Sequence, residues 1–169
     1  MKRHPALHDL SRDHHTVLIH CQRLRRATER NPDPAQWLEH ARTMASYFEH
    51  DLDPHFEEED RFVVHAAESR NAPTLATLAR RVRDDHAWLR QRFLRLKASL
   101  DAPEAASGLL REIAPRLDRH VRFEEGEFYE ALQTAMTDAE LRALWKESHA
   151  FRSMHRSPEA CSVQPPPHP

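Results

Sequence analysis

Apolar residues recur at helical spacing through four long segments of this 169-residue chain. Because residues three and four apart lie on one face of an α-helix, each segment predicts an amphipathic helix with one buried face. Glycine occurs only twice, whereas a β protein would need glycine in its tight turns. The sequence therefore predicts an all-α fold.

Proline-containing turns divide the chain into four long helices and a short fifth helix. Pro54 lies inside the second helix, but the apolar face keeps its phase across it, so we predict a kink and not a break. Pro115 predicts either a kink or a late start of the fourth helix. Thr137-Asp138-Ala139-Glu140 is a capping box that opens the fifth helix. The expected helices are about Leu7–Glu29, Pro34–Glu68, Pro73–Leu100, Pro103–Thr134 and Thr137–His149.

Composition and termini favour one cytoplasmic domain that binds neither nucleic acid nor membrane. The formal net charge is only −2, and no apolar run approaches the ~18 residues of a membrane span. The N-terminus lacks the apolar stretch of a secretory signal. Cys21 and Cys161 lie too far apart for a disulfide framework, which fits a reducing cytosol. We predict one domain over residues 1–150 and a disordered, proline-rich tail over residues 151–169.

The predicted buried faces carry imidazoles and carboxylates. Two His-x-x-x-Glu motifs place their two side chains one above the other on a helix, with Cβ atoms roughly 5–6 Å apart. Two further helices each have one inward histidine. Burying such groups alone costs a few kcal/mol each, so a cationic partner is expected. The inward residues are His14, His55, Glu59, His86, His120 and Glu124.

This donor set predicts a dinuclear metal site. Four imidazoles and two carboxylates without cysteine suit iron, manganese or zinc. A structural zinc site would use four tetrahedral ligands, commonly including thiolates. The di-iron carboxylate bundles that use Glu-x-x-His on two helices have fewer nitrogen donors, so a different class is indicated.

The order of these motifs resembles the hemerythrin-like (HHE) cation-binding domain family. The likeness covers roughly residues 8–150 and rests on Ser11-Arg12-Asp13-His14-His15, Pro54-His55-Phe56 with its acidic run, and His120-Val121-Arg122-Phe123-Glu124-Glu125. It implies an up-down-up-down four-helix bundle around a non-haem di-iron centre with an oxo or hydroxo bridge. It also implies that Glu59 and Glu124 bridge the irons. The internal repeat suggests that His14 and His55 serve one iron, and His86 and His120 the other.

The chain departs from the oxygen-carrying members, which have a second histidine one turn after the third-helix ligand. That position is Arg90 here. The departure disfavours reversible oxygen carriage and favours an open, reactive or sensing site. Independently of this departure, the neighbouring His15 is an alternative ligand to His14, but it lies about 100° round the helix, so His14 is preferred.

The leading interpretation is a protein that binds or senses O₂, peroxide or NO, or handles iron, and is not primarily an enzyme. One alternative is a di-iron enzyme for peroxide turnover or iron-centre repair, although the cysteine-bearing N-terminal segment of the repair members is absent. Another is a metal site that only supports folding. The sequence does not identify a protein partner.

Overall fold

The computed structural model describes residues 2–30 and 33–155, and no strand occurs within them. After a 3₁₀ turn at Pro5–Leu7, helix α1 covers His8–Arg30 and helix α2 covers residues 34–68. Helix α3 covers Pro73–Ala98, α4 covers residues 103–135, and α5 covers Asp138–His155. Helix α4 packs against α1, α2 and α3, and α2 also packs against α3. The predicted all-α four-helix bundle is confirmed.

Prolines and polar caps set the helix starts. Pro34, Pro73 and Pro103 each occupy a first helical position, where a missing N–H is tolerated. The predicted capping box is confirmed, because Glu140 Oε2 accepts from the Thr137 backbone N–H at 2.7 Å and Thr137 Oγ1 accepts from the Glu140 N–H at 3.3 Å.

Helix α2 alternates between α and π geometry. Its segments are α at Pro34–Tyr47, π at Phe48–Leu52, α at Asp53–Glu58, π at Glu59–Val64 and α at His65–Glu68. The first π segment ends where the Asp53 N–H bonds to the Phe48 carbonyl, five residues back, just before Pro54. The helix therefore continues across Pro54 without a break, as predicted.

Helix α4 has a related pattern, with α geometry at Pro103–Phe123, a π segment at Glu124–Phe128 and α geometry at Tyr129–Ala135. Pro115 lies inside its first segment. The alternative of a late helix start is therefore wrong.

The apolar core forms two clusters that lie on either side of a polar layer. One cluster contains Val17, Leu52, Leu89 and Leu117, and the other contains Leu10, Val63, Val82 and Phe128. Along every long helix the predicted donor residues fall between a member of the first cluster and a member of the second. The fold thus holds the polar layer inside an apolar bundle.

Helix α5 is longer than expected. It extends to His155, so residues 151–155, predicted as the start of a disordered tail, are helical. The rest of the predicted tail lies outside the described residues. Helix α5 packs on the N-terminal 3₁₀ turn and on residues 53–64 of α2. None of the described helices combines the length and apolarity needed to cross a membrane.

Candidate metal centre

The polar layer contains all six predicted donor side chains, contributed by the four long helices. None of them is more than 2% exposed. Such deep burial of titratable groups in one place requires mutual compensation or a bound cation. The six are His14 of α1, His55 and Glu59 of α2, His86 of α3, and His120 and Glu124 of α4.

The four imidazoles form two pairs. In the His14–His55 half, the two Nε2 atoms lie 3.1 Å apart. In the His86–His120 half, the two Nε2 atoms also lie 3.1 Å apart. Every Nε2 atom therefore points into the layer, and each half offers two nitrogen donors to one point.

The two carboxylates lie between these halves. Glu59 Oε2 is 3.2 Å from His55 Nε2 and 3.3 Å from His86 Nε2. Glu124 Oε2 is 3.2 Å from His14 Nε2 and 3.3 Å from His120 Nε2. Each carboxylate thus approaches one nitrogen of each half, which is the placement required of a group shared by two cations.

The donor atoms fall into two sets whose members lie within 4.8 Å of one another. One set is His14, His55 and Glu59, and the other is Glu59, His86, His120 and Glu124. Glu59 belongs to both sets.

Both glutamates are the first residue of a π segment. A π turn accommodates one extra residue locally and is frequent at functional sites. The backbone N–H of Glu124 points to the His120 and Val121 carbonyls, so α geometry still connects each histidine to its glutamate. The wider turn follows immediately after the donor pair.

The hydrogen bonding of three carboxylate oxygens indicates whether this layer fits a metal. Glu59 Oε2 and both Glu124 oxygens are buried and make no hydrogen bond of acceptable geometry. These oxygens face the imidazole nitrogens of the layer, and a buried carboxylate is costly unless positive charge compensates it. Oxygen and imidazole donors without thiolate suit iron, manganese or zinc, so the residues fit a metal group.

Each histidine has its other ring nitrogen, Nδ1, near a second carboxylate; three of these contacts are hydrogen bonds, and the His120–Asp85 contact is a longer ion-pair approach. A carboxylate in this position fixes the tautomer and orientation of a ligating imidazole. We call these four acids the outer carboxylates. The Nδ1-to-oxygen distances are 2.7 Å for His14–Glu125, 3.1 Å for His55–Asp13, 2.9 Å for His86–Asp60 and 3.6 Å for His120–Asp85.

The outer carboxylates follow a closed order around the bundle. The acid on α1 contacts the histidine on α2, and the acid on α2 contacts the histidine on α3. The acid on α3 contacts the histidine on α4, and the acid on α4 contacts the histidine on α1. Each acid is also the sequence neighbour of a donor on its own helix, as Asp13 is of His14. Sequence reasoning missed this set because adjacency along the chain does not reveal a partner on another helix.

Charge coupling within the layer shifts several pKa values. Burial alone opposes protonation of His14, but Glu124, Glu125 and Glu59 raise its pKa well above the ordinary value. His86 is likewise opposed by burial, and Asp60, Glu124 and Glu59 raise its pKa well above that value. Without metal, the layer is therefore held together by imidazolium and carboxylate groups.

The pKa values of the two carboxylates shift in the opposite direction, to below the ordinary value. Burial tends to raise the pKa of Glu59, but His55, His14 and His86 lower it well below the ordinary value. The pKa of Glu124 is raised by burial and by Glu59, yet His120, His14 and His86 bring it below the ordinary value. Both carboxylates are therefore ionised at neutral pH, which is the state that ligates metal.

Two aromatic rings cover the histidines. Tyr129 stacks on His14 with 5.6 Å between ring centroids, and its hydroxyl donates to Glu59 Oε1. Phe56 stacks on His86 at 4.1 Å and meets His120 edge-on at 5.6 Å. Tyr129 is fully buried and was missed from the sequence, where its position five residues after Glu124 gave no helical-face signal.

The remaining histidine alternatives lie outside the layer. His15 is exposed and lines a surface cavity of about 850 Å³ between α1 and α4. His14, and not His15, therefore lies among the donors. His50 and His65 are also exposed. Arg90, at the position of the missing imidazole, donates to Asp53 at 2.6 Å and to Asp60 at 2.8 Å.

Comparison with known proteins agrees with this geometry. Residues 77–157 match the family described as the hemerythrin HHE cation binding domain. The matched range contains His86, His120 and Glu124, whereas His14, His55 and Glu59 precede it. No curated protein and no solved structure matches the chain significantly. The resemblance inferred from the sequence motifs is confirmed over the matched range.

Proposed function

Since residues 77–157 match the hemerythrin HHE cation binding domain, we propose that the polar layer holds a non-haem di-iron centre. The observation that carries the proposal is the set of three buried carboxylate oxygens without hydrogen-bond partners, surrounded by four inward-pointing Nε2 atoms. A single ion would leave one half of this donor set unused.

The distances support a division of the donors between two ions. His14 and His55 would hold one iron, and His86 and His120 the other, because each pair converges on one point. Glu59 and Glu124 would be shared, since each approaches a nitrogen of both halves.

The chemistry that iron supplies in such a site is the binding and reduction of small oxidants such as O₂, peroxide or NO. The protein offers six side-chain donors to two ions that each accept about six ligands, so positions stay open for a small molecule. The two apolar clusters on either side of the layer keep bulk water out. We propose that the protein senses or scavenges such a molecule, or handles iron.

Arg90 supports a role other than reversible oxygen carriage. Where a further imidazole would complete a carrier site, its guanidinium instead ties Asp53 to Asp60. Asp60 in turn orients His86. The residue therefore supports an existing donor and adds none, which leaves one more ligand position open.

Metal content tests the di-iron proposal. Wild-type protein reconstituted with ferrous iron should retain about two iron ions per chain, with the near-ultraviolet absorption of a bridged ferric pair. Glu59→Ala and Glu124→Ala should each retain fewer than one. His15→Ala and His50→Ala, which alter exposed histidines, should bind like the wild type. Equal loss in all four variants, or fewer than two irons in the wild type, contradicts the proposal.

Reactivity separates the roles that the site allows. A stoichiometric spectral change with O₂, peroxide or NO supports sensing or scavenging. Many turnovers of peroxide per chain point to an enzyme. Retained iron without any response supports a metal that only stabilises the fold, a role consistent with the complete burial of the six donors.

A further inference from the structure

Each outer carboxylate is held by an arginine. The guanidinium keeps the acid ionised and limits its rotation, so the arginine acts on the imidazole through the acid. The distances are 2.8 Å for Arg3–Glu125, 2.9 Å for Arg152–Asp13, 2.8 Å for Arg90–Asp60 and 2.8 Å from Arg116 Nε to Asp85.

The origin of these arginines differs between the two halves. In the His86–His120 half, Arg90 lies four residues after His86 on α3, and Arg116 lies four residues before His120 on α4. Each arginine therefore shares the helix of the histidine that it supports. In the His14–His55 half, the arginines that hold the outer carboxylates come from outside the four long helices. Arg3 comes from the segment before α1, and Arg152 comes from α5.

The two terminal arginines are themselves anchored. Arg152 is 15% exposed, and its Nη2 lies 2.9 Å from Oε2 of the buried Glu58 on α2. Ser148, one turn earlier on α5, also donates to Glu58. Arg3 donates to the backbone carbonyl of Glu125 as well as to its side chain, and its guanidinium lies 5.1 Å from the Tyr129 ring. These contacts place both cations firmly against the layer.

The two terminal elements also contact each other. The 3₁₀ turn packs on α5, and His4 Nε2 lies 3.0 Å from Asp138 Oδ1 at the start of α5. Together they form a cap over one half of the site. In the other half, the arginines seen among the described residues belong to the bundle helices.

We propose that Arg3 and Arg152 are positioning residues through which this terminal cap sets the metal affinity of the His14–His55 half. The proposal rests on the di-iron function above. The His86–His120 half keeps its affinity when the cap is disturbed. The two iron positions thus differ in lability, and displacement of α5 or the N-terminal segment releases iron from one position first.

The test compares single variants of the full-length protein loaded with iron. Arg152→Ala and Arg3→Ala should weaken one of the two iron positions by about 10- to 100-fold in chelator competition, the loss typical of removing an outer partner. Mössbauer spectra should lose the signal that is also lost in His55→Ala. Arg90→Ala and Arg116→Ala should instead lose the signal that is lost in His120→Ala.

Two further measurements exclude a general folding effect. Arg122→Ala removes an exposed arginine that pairs with Asp118 on its own helix and not with an outer carboxylate, so its iron affinity should match the wild type. Combining Arg152→Ala with His55→Ala should cause no further iron loss beyond His55→Ala, because both changes act on one position. Circular dichroism of each variant establishes that its helices are intact.

The outcomes are distinguishable from those of the proposed function. A wild type with fewer than two irons overturns the di-iron function itself. A wild type with two irons, but loss of the same Mössbauer signal from all four arginine variants or iron loss in Arg122→Ala, overturns the positioning role of the cap alone.

Discussion

The His14–His55 half of the site lies against a tyrosine and is supported from the chain termini, whereas the His86–His120 half lies against a phenylalanine and is supported within the bundle. The donors themselves are alike, with the same 3.1 Å separation of the Nε2 atoms. The difference teaches that a repeated ligand pattern can have unequal surroundings. The surroundings, and not the donors, then decide how the two halves differ in stability and exchange.

The family match covers more of the His86–His120 half than of the His14–His55 half. It begins at residue 77 and therefore includes the complete His86–His120 pair with both of its arginines. It also includes α5, which carries Arg152 for the other half.

The largest effect is expected at Phe56, which supports the His86–His120 half. Phe56→Ala removes a ring that is 1% exposed and stacked on His86, so the free energy of unfolding should fall by about 3–5 kcal/mol. Urea denaturation of the metal-free protein measures this loss. Phe56→Leu, which leaves a smaller cavity, should lose distinctly less. Equal losses for the two substitutions would show that packing on His86 does not stabilise this half.

Metal binding and pH are expected to have an intermediate effect on the stability of the folded protein. Because the pKa values of His14 and His86 are raised, their stabilisation is complete below the ordinary histidine value of 6.5 and is lost as pH rises through the raised values. Glu59 and Glu124 have lowered pKa values, so their stabilisation is present above 4.5 and is lost as pH falls through the lowered values. The metal-free layer is therefore most stabilising between these limits.

Thermal unfolding across pH measures this prediction. The metal-free melting temperature should fall as pH rises above 6.5, and His14→Gln or His86→Gln, one in each half, should each flatten the fall. Bound metal replaces the protons, so the loaded protein should show no such fall. Free metal at 100 times its Kd should add about 2.7 kcal/mol. A metal-free protein that becomes more stable above pH 6.5 contradicts the assigned charge states.

A smaller effect is expected at Tyr129, which supports the His14–His55 half. Tyr129→Phe keeps the ring on His14 but leaves Glu59 Oε1 without its hydroxyl donor, which should cost about 1–3 kcal/mol in the metal-free protein. Denaturant unfolding measures the loss. Tyr47→Phe is the matched control, because Tyr47 is half-buried and stacks on His20. If Tyr129→Phe lowers the free energy of unfolding no more than Tyr47→Phe does, the Tyr129 hydroxyl does not stabilise this half.

The fold and the meeting of the six candidate donors in one buried layer could be predicted because their signals are local. Helical periodicity places His55 and Glu59 on one face, and the chemistry of imidazole and carboxylate in an apolar face points to metal. Proline marked the starts of α2, α3 and α4 for the same reason, since its missing N–H costs least at the first helical position. No comparable local signal in the sequence predicts the π segments or the length of α5.

The partners of the donors were decided by the tertiary structure. Asp13 is adjacent to His14 in the sequence, yet it orients His55 of the next helix, and only the order of helices around the bundle determines that choice. Arg152 reaches Asp13 across 139 positions of sequence because α5 folds back on the bundle. Helical periodicity reports which face a residue occupies, and hence which residues enter the layer. It carries no information about which neighbouring helix that face meets, so the outer carboxylates and their arginines emerge only from the packed structure.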